Sequence, residues 1–239
     1  MDKFYDMVPI IFDIETTGFT VQDKFVCSVF YNMQDFEVDL SIPSLSKTLS
    51  NLTSKHKNIL LVTYNGENYR GGFDFPFLRT KMLMNYSDAK WIFKGIPHLD
   101  IYPLFDNRFN TKHPVVKPPA GNTPAQIIKG IANENDVDYQ NKNQALSELK
   151  ELEDVDWLGY ERKTEVSKTD NQSVYQLFFD PKGEEEYIDG EQVPELYEQK
   201  EIKEIIKHCK NDVKRTGKLY ELIVDYAPDW EISRNIKQL

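Results

Sequence analysis

Residues 8–18, VPIIFDIETTG, decide the fold. An apolar run ends on two carboxylates, Asp13 and Glu15, just before a polar turn with Gly18. Such a run predicts a strand buried on both faces, and side chains two residues apart on a strand share a face. Both carboxylates are therefore expected to project together, as a divalent cation requires. The same short pattern also occurs where an Asp and a Glu cap a surface turn.

Further strands and helices are predicted around this stretch. Strands are predicted at residues 8–14, 25–31, 36–42 and 58–64, whereas residues 98–105 are ambiguous between a strand and a strand followed by a helix start. Helices are predicted at residues 44–56, 74–85, 123–132, 143–152 and 194–226. Residues 111–124 are predicted as loop, and the polar residues 157–192, with β-like residues 174–179, as a β-hairpin insertion. This order indicates one α/β domain over residues 1–239, with a mixed sheet flanked by helices.

The composition predicts a soluble globular protein. The chain has 239 residues, of which 40% are hydrophobic, and a formal net charge of −10. No run of ~18 apolar residues could span a bilayer, and two cysteines do not make a disulfide framework. We therefore expect an intracellular, cytoplasmic protein without a membrane partner.

The acidic charge is unevenly distributed. Residues 180–201 carry nine acids and two lysines, whereas residues 203–218 carry six basic and two acidic side chains. Nucleic-acid binding usually needs clustered basic residues. A divalent-metal site adds carboxylates without excluding polyanions, so the net charge does not exclude nucleic acid as a partner.

Two further motifs carry candidate chemistry. In residues 65–78, NGENYRGGFDFPFL, Asp74 closes a glycine-rich loop and opens a predicted helix, where it could also be an ordinary N-cap. In residues 208–212, HCKND, His208 and Asp212 share one helical face. Taken alone, the His208–Asp212 pair is by default a surface pair on a solvated helix.

Together, the three motifs resemble those of the DEDD exonuclease superfamily, which has an RNase H-like fold. The resemblance is nearest to stand-alone relatives of the proofreading exonuclease domain of family-B DNA polymerases. It covers roughly residues 8–226 apart from 157–192, and the glycine-containing loop of the second motif is longer here. The matching residues are Asp13 and Glu15 in the first motif, Asn65, Phe73 and Asp74 in the second, and Asp212 in the third.

The resemblance implies an RNase H-like mixed sheet flanked by helices, with the hairpin insertion before a long C-terminal helix. It also implies a 3′–5′ exonuclease that uses two Mg²⁺ or Mn²⁺ ions at single-stranded DNA ends. Asp13, Glu15 and Asp212 would hold one ion, and Asp13 would bridge to a second ion held partly through water by Asp74.

The resemblance also implies substrate contacts. Thr16 and Thr17 would contact the terminal nucleotide, and Asn65 and Phe73 would clamp the next one. Family members place a tyrosine four residues, or a histidine five residues, before the last aspartate, whereas this chain has a histidine at four. His208 is therefore expected either to act as general base or to position the attacking water.

Three alternatives stay open at this stage. The same carboxylates serve exoribonucleases, and nothing in the sequence shows how the pocket treats a 2′-hydroxyl. A non-catalytic replication or repair accessory protein could retain the fold, although such proteins are expected to lose a carboxylate. A structure-specific endonuclease could use the insertion as a wedge. Possible partners are thus a nucleic-acid 3′ end and a replication or repair protein.

Overall fold

A computed structural model describes most of the chain. The described residues are 4–20, 22–68, 71–85, 90–109, 112–117, 124–140, 142–150, 162–167, 170–181, 185 and 190–239. Among these residues, no helix combines the length and the apolar character needed to cross a membrane.

Strands and helices alternate along most of the chain. The strands are β1 (Val8–Thr16), β2 (Phe25–Tyr31), β3 (Phe36–Asp39), β4 (Ile59–Thr63), β5 (Pro97–Asp100), β6 (Lys112–Lys117), β7 (Arg162–Ser167) and β8 (Lys237–Gln238). The α-helices are α1 (Ile42–Lys55), α2 (Asp74–Asn85), α3 (Tyr102–Arg108), α4 (Pro124–Glu134), α5 (Lys142–Lys150), α6 (Asn171–Phe179), α7 (Val193–Glu198), α8 (Ile202–Tyr226) and α9 (Asp229–Asn235).

Six strands form a mixed sheet in the order β3-β2-β1-β4-β5-β8. β1, β2 and β3 pair antiparallel, whereas β1, β4 and β5 pair parallel, and β8 closes the edge antiparallel to β5. All five residues of β4 are buried, as expected for a central strand covered by helices. The predicted mixed sheet flanked by helices is confirmed.

Both faces of the sheet are covered, and β1 alternates between the two cores. Ile11 packs in the core that contains Cys209 and Val213 of α8. Ile10 and Phe12 pack in the opposite core, with residues of α1 and α2. Since side chains two apart share a face of a strand, the positions after Ile11 at two-residue intervals face α8. These positions are Asp13 and Glu15.

The chain divides into two compact units. The first comprises residues 1–111 and 169–239 and holds the six-stranded sheet; the second comprises residues 112–168. In the second unit, β6 and β7 pair antiparallel. Its helices α4 and α5 bury a small core of their own that includes Ile128, Ile131 and Leu149. One domain over residues 1–239 stays a prediction.

The prediction is wrong in the region of the insertion. Residues 174–179 are helical, in α6, and not β-like. The Asp170 side chain accepts a hydrogen bond from the Ser173 backbone N–H at 2.8 Å and so caps this helix. Asp, Asn and Ser are as typical of a helix N-cap as of the hairpin turn predicted there.

The strand pairing also differs from the predicted hairpin. β7 lies in the predicted insertion at 157–192, but it pairs with β6, which lies in the predicted loop at 111–124. The prolines at residues 111–124 predicted a loop. Proline is nevertheless tolerated on edge strands, and both strands of a two-stranded sheet are edge strands. The insertion's residues 157–161, 168–169, 182–184 and 186–189, and residues 111 and 118–123 of the loop, lie outside the described residues.

Two smaller boundaries differ for local reasons. The predicted helix at 194–226 is interrupted between α7 and α8, where Lys200 has a φ of 63°. A residue in the left-handed conformation ends a helix. The apolar pattern continues across Lys200, so the sequence pattern predicts one uninterrupted helix. The predicted strand at 36–42 ends at Asp39, because Pro43 occupies the first turn of α1.

Candidate active site

The three sequence motifs meet in one cleft of the first unit. The cleft has a volume of about 710 Å³. Its lining includes Asp13 and Glu15 from the end of β1, Asp74 from the start of α2, and His208 and Asp212 from α8. The structure therefore brings together all five side chains that the sequence singled out for catalysis and metal binding.

Burial shifts the protonation of all four carboxylates in the same direction. Burial, followed by the nearby charge of Asp212, raises the pKa of Asp13 to about 8. Burial also raises the pKa values of Glu15 and Asp74, and the charge of Asp13 adds to both shifts. For Asp212, burial raises the pKa, while His208 and Arg215 act in the opposite direction. Without a bound cation, burial and mutual repulsion therefore disfavour the ionised forms of these carboxylates.

Two groups of ligand atoms share Glu15. The first consists of Asp13, Glu15 and Cys209, and the second of Glu15, His208 and Asp212. Within each group the ligand atoms lie within 4.8 Å of one another. In the first, the Cys209 thiol donates to the Asp13 carboxylate oxygen Oδ2 at 3.6 Å. The role of Asp13 as the bridge between two ions, which the resemblance implies, stays a prediction.

The Asp212 carboxylate is held from two directions. Its Oδ1 accepts a hydrogen bond from Arg215 Nη1 at 2.8 Å. Its Oδ2 lies 3.5 Å from His208 Nε2. One turn along α8, Thr216 Oγ1 accepts a hydrogen bond from the Asn171 side chain at 2.8 Å. The start of α6 is thereby attached to the helix that carries the site.

The position of Asp74 depends on the loop that precedes it. Within this loop, the Phe73 backbone N–H donates to the Asn65 carbonyl at 2.8 Å. The Asp100 carboxylate accepts from the backbone N–H groups of Asn65 at 2.9 Å and Glu67 at 3.1 Å. It also accepts from the Tyr102 N–H at the start of α3. Asp100 therefore acts as the anchor of the loop.

Three of the four predicted substrate residues line the cleft. These are Thr16, Asn65 and Phe73. Thr17 is absent from the lining, and its hydroxyl accepts a hydrogen bond from the Lys24 backbone N–H at 2.9 Å. This hydroxyl is engaged in the turn between β1 and β2, because a polar side chain next to a turn can bond to the backbone nearby.

The cleft also contains side chains that the sequence did not single out. Phe19 is 82% exposed, and its ring meets that of Phe73 with centroids 5.3 Å apart. Tyr64 and Asn171 line the same cleft. Arg215 had one sequence signal, since it follows Asp212 by three residues on a helix. Phe19 and Tyr64 are the direct neighbours of Gly18 and Asn65, so their positions next to the motifs were a signal. Asn171 had none, because it is remote in sequence from all three motifs.

The residues present fit a divalent metal ion. Asp74 Oδ2 is buried and has no hydrogen-bond partner among the described residues. A buried polar atom without a partner is costly. Four carboxylates with raised pKa values surround the same cleft, and carboxylate oxygen is the donor that Mg²⁺ and Mn²⁺ accept. A cation would offset both the desolvation of the carboxylates and their mutual repulsion.

Comparison with known proteins agrees with this architecture. A family model of the RNase H superfamily matches residues 10–121, a range that contains Asp13, Glu15 and Asp74. No curated protein matches the chain. This similarity supports the fold and does not specify an exonuclease. The six-stranded mixed sheet flanked by helices is consistent with the match, so this chain has an RNase H-like α/β fold and is similar over residues 10–121 to the RNase H superfamily.

Proposed function

We propose that this chain is a metal-dependent 3′–5′ exonuclease that hydrolyses phosphodiester bonds at single-stranded DNA 3′ ends. The observation that carries the proposal is the convergence of four carboxylates from three distant segments in one cleft: Asp13, Glu15, Asp74 and Asp212. Each motif alone has a simpler interpretation, namely a surface turn, a helix cap or a solvated pair. None of these interpretations requires the motifs to converge. The polarity and the single-stranded substrate come from the resemblance of these motifs to the DEDD exonucleases.

The four carboxylates would hold Mg²⁺ or Mn²⁺. Asp13, Glu15 and Asp212 would bind one ion, and Asp13 and Asp74 a second. When bound, two such ions stabilise charge on the attacking and leaving oxygens of a phosphodiester. The protein's part is to orient these carboxylates. Arg215 does so for Asp212 through its 2.8 Å hydrogen bond, which also opposes the rise of the Asp212 pKa.

Other side chains of the cleft would handle the water and the DNA. His208 is 5% exposed and lies beside Glu15 and Asp212. As the general base or water-positioning group that the resemblance implies, His208 would accept a proton from the attacking water or orient it. The Phe19–Phe73 pair offers aromatic surface on which an unpaired base can stack. Thr16 would contact the terminal nucleotide and Asn65 the next one. The Thr16 hydroxyl donates to the Gly18 carbonyl at 2.6 Å, so it would serve the nucleotide as an acceptor.

A time course on 5′-labelled single-stranded DNA tests this proposal. With Mg²⁺ or Mn²⁺, we expect a ladder of products that shortens from the 3′ end, and no cleavage with EDTA. Asp13→Asn is expected to lose at least ~10³-fold in rate, because removal of one metal-binding charge weakens transition-state stabilisation. Asp225→Asn is the matched control, since Asp225 is an exposed aspartate of α8.

The same assay separates the alternatives. RNA of the same sequence, cleaved faster than DNA, would identify an exoribonuclease. Internal cuts would favour an endonuclease. Measurable DNA binding without cleavage of either substrate would contradict the enzyme proposal and favour a replication or repair accessory protein.

A further inference from the structure

We propose that His208 is itself a metal ligand, so that the site prefers a first-row transition-metal ion over Mg²⁺. The inference rests on the proposed function only in assuming that the Glu15 and Asp212 carboxylates bind a cation. It assigns His208 a role other than that of a base or a water-positioning group.

The spacing of three donor atoms suggests this role. His208 Nε2 lies 3.5 Å from Glu15 Oε1 and 3.5 Å from Asp212 Oδ2. Both distances exceed those of charge-assisted hydrogen bonds, about 2.7–2.9 Å. Two ligands that each lie ~2.1 Å from one cation are separated by roughly 3.0–3.4 Å in octahedral or tetrahedral geometry. The observed spacing thus fits donors that share a cation better than donors bonded to each other.

The surroundings hold the three donors in this arrangement. The side chains of His208 and Glu15 are only 6% and 10% exposed. Asp212 follows His208 by four residues on α8, a spacing at which two helical side chains can ligate one metal ion. Arg215 occupies Oδ1 of Asp212, and Oδ2 is the oxygen that lies beside the imidazole.

A separate observation also points to a cation. Asp74 Oδ2 is buried without a hydrogen-bond partner among the described residues, and Asp74 lines the same cleft as His208. A carboxylate oxygen in this condition requires a partner that the described protein atoms do not supply. The cleft therefore combines an unsatisfied buried oxygen with a group of oxygen and nitrogen donors.

The nitrogen donor determines which ion is preferred. Mg²⁺ is a hard cation that takes oxygen ligands and keeps its waters, whereas imidazole suits the later first-row ions. A site made only of carboxylates would discriminate weakly between Mg²⁺ and a first-row transition-metal ion. A site with His208 as ligand is expected to discriminate more strongly.

A different role for His208 predicts the opposite effect on metal binding. If its imidazolium served as counter-ion for Glu15 and Asp212, it would compete with the metal, and removal of His208 would strengthen metal binding. If it served only as a base, removal would leave metal affinity nearly unchanged. Removal of a ligand lowers the affinity of the site for the metal. Removal of a group that only supports a ligand can do the same, so the directly coordinated nitrogen is the observation that identifies a ligand.

Electron spin-echo spectroscopy of Mn²⁺ bound to the full chain provides the test. We expect modulation from a directly coordinated nitrogen in the wild type, altered by ¹⁵N-histidine labelling and lost in His208→Gln. Mn²⁺ affinity should fall at least about tenfold in that variant, since even loss of a group that supports a ligand costs 10–100-fold. Mg²⁺ affinity, measured by competition, should fall less.

His56→Gln is the matched control, because His56 follows α1 and does not belong to the cleft lining. It should retain the nitrogen signal. Absence of a coordinated nitrogen in the wild type, or unchanged or tighter Mn²⁺ binding by folded His208→Gln, would overturn the inference. The labelled wild type decides the matter even if the variant does not fold. The measurement needs no substrate, so nitrogen ligation in a chain without nuclease activity would contradict the proposed function alone.

Discussion

Arg215 determines how the Asp212 carboxylate is presented to the cleft. The Arg215 side chain is only 4% exposed, and its Nη1 donates to Asp212 Oδ1 at 2.8 Å. A buried charge is tolerated when it is paired and hydrogen-bonded, and removal of one partner leaves the other unpaired. This residue therefore affects both the stability of α8 and the charge state of the site.

Arg215→Gln is expected to lower the free energy of unfolding by roughly 3 kcal/mol, because the Asp212 carboxylate loses its buried counter-charge. Chemical denaturation in EDTA measures this effect. Lys218→Gln is the control, since Lys218 and Glu221 form an exposed pair at 3.7 Å that should contribute less than about 1 kcal/mol. Equal losses in the two variants would contradict the role assigned to Arg215.

The raised pKa of Asp13 predicts how stability depends on pH. Its pKa rises on folding from 3.8 to about 8. The folded state therefore holds this proton more tightly than the unfolded state. The resulting stabilisation is complete below pH 3.8 and is lost as the pH rises through about 8. Metal-free protein should consequently lose stability across this window, and Mg²⁺ should raise the melting temperature more at pH 8 than at pH 5.

Asp13→Asn removes this contribution, because asparagine does not titrate. It also removes the charge that raises the pKa values of Glu15 and Asp74, which changes the pH dependence in the same direction. Burial lowers the pKa of His98 to about 3, so His98 opposes the trend as the pH falls. Its effect is common to both proteins and cancels in their difference. We expect the metal-free variant to lose less stability than the wild type between pH 5 and pH 8. Parallel profiles from calorimetry would contradict the assignment.

At the scale of elements, the loop before α2 is the part of the site with the strictest backbone requirement. Gly72 has a φ of +73°, and a Cβ there would lie 2.6 Å from Glu67 Cα. A left-handed conformation disfavours other residues, and backbone atoms cannot move aside as a flexible side chain can. The two restrictions explain why glycine stands two residues before Asp74.

Gly72→Ala is expected to destabilise the protein and to reduce cleavage, because the loop must shift and Asp74 with it. Gly95→Ala is the control: Gly95 has a φ of +82°, but a Cβ there meets nothing within 4 Å. The control should lose only the left-handed penalty of about 1–2 kcal/mol and keep its activity. Thermal melts and the DNA time course measure the two effects. Normal activity in Gly72→Ala would show that the loop does not position Asp74.

At the scale of the whole molecule, every described residue that lines the cleft belongs to the first unit. The second unit, residues 112–168, has its own small core. The two cores of the sheet are formed by residues of the first unit. Folding and metal binding are therefore expected to be properties of the first unit.

Replacement of residues 112–168 by a flexible Gly/Ser linker should leave a folded protein that Mg²⁺ still stabilises. The physical reason is that the described residues of this unit include no core residue of the sheet and no residue of the cleft lining. Circular dichroism and thermal melts with and without Mg²⁺ measure the outcome. Loss of the cooperative transition would show that the second unit is needed for folding.

Much of the fold follows from local pattern. The apolar runs at residues 8–14, 25–31 and 58–64 predict strands, and the structure has strands there at Val8–Thr16, Phe25–Tyr31 and Ile59–Thr63. Asp74–Asn85 is a helix that follows a glycine-rich loop, as its sequence predicts. These elements were predictable because hydrophobic period and turn residues act over a few neighbours. The helix that Asp170 caps could not be predicted in this way, since turns and helix caps use the same residue types.

The sequence by itself determined the residue types of the candidate site and the faces from which they project, because these depend on the two-residue and 3.6-residue periods of a strand and a helix. Only the tertiary structure decided that β1 and α8 pack against each other, with His208 Nε2 3.5 Å from Glu15 Oε1. It likewise placed Asp100 under the Asn65 loop, and Thr17 in a turn outside the cleft lining. Some of these contacts join residues that are remote in sequence, and others depend on the geometry of a turn. Local periodicity carries no information about which remote segments meet.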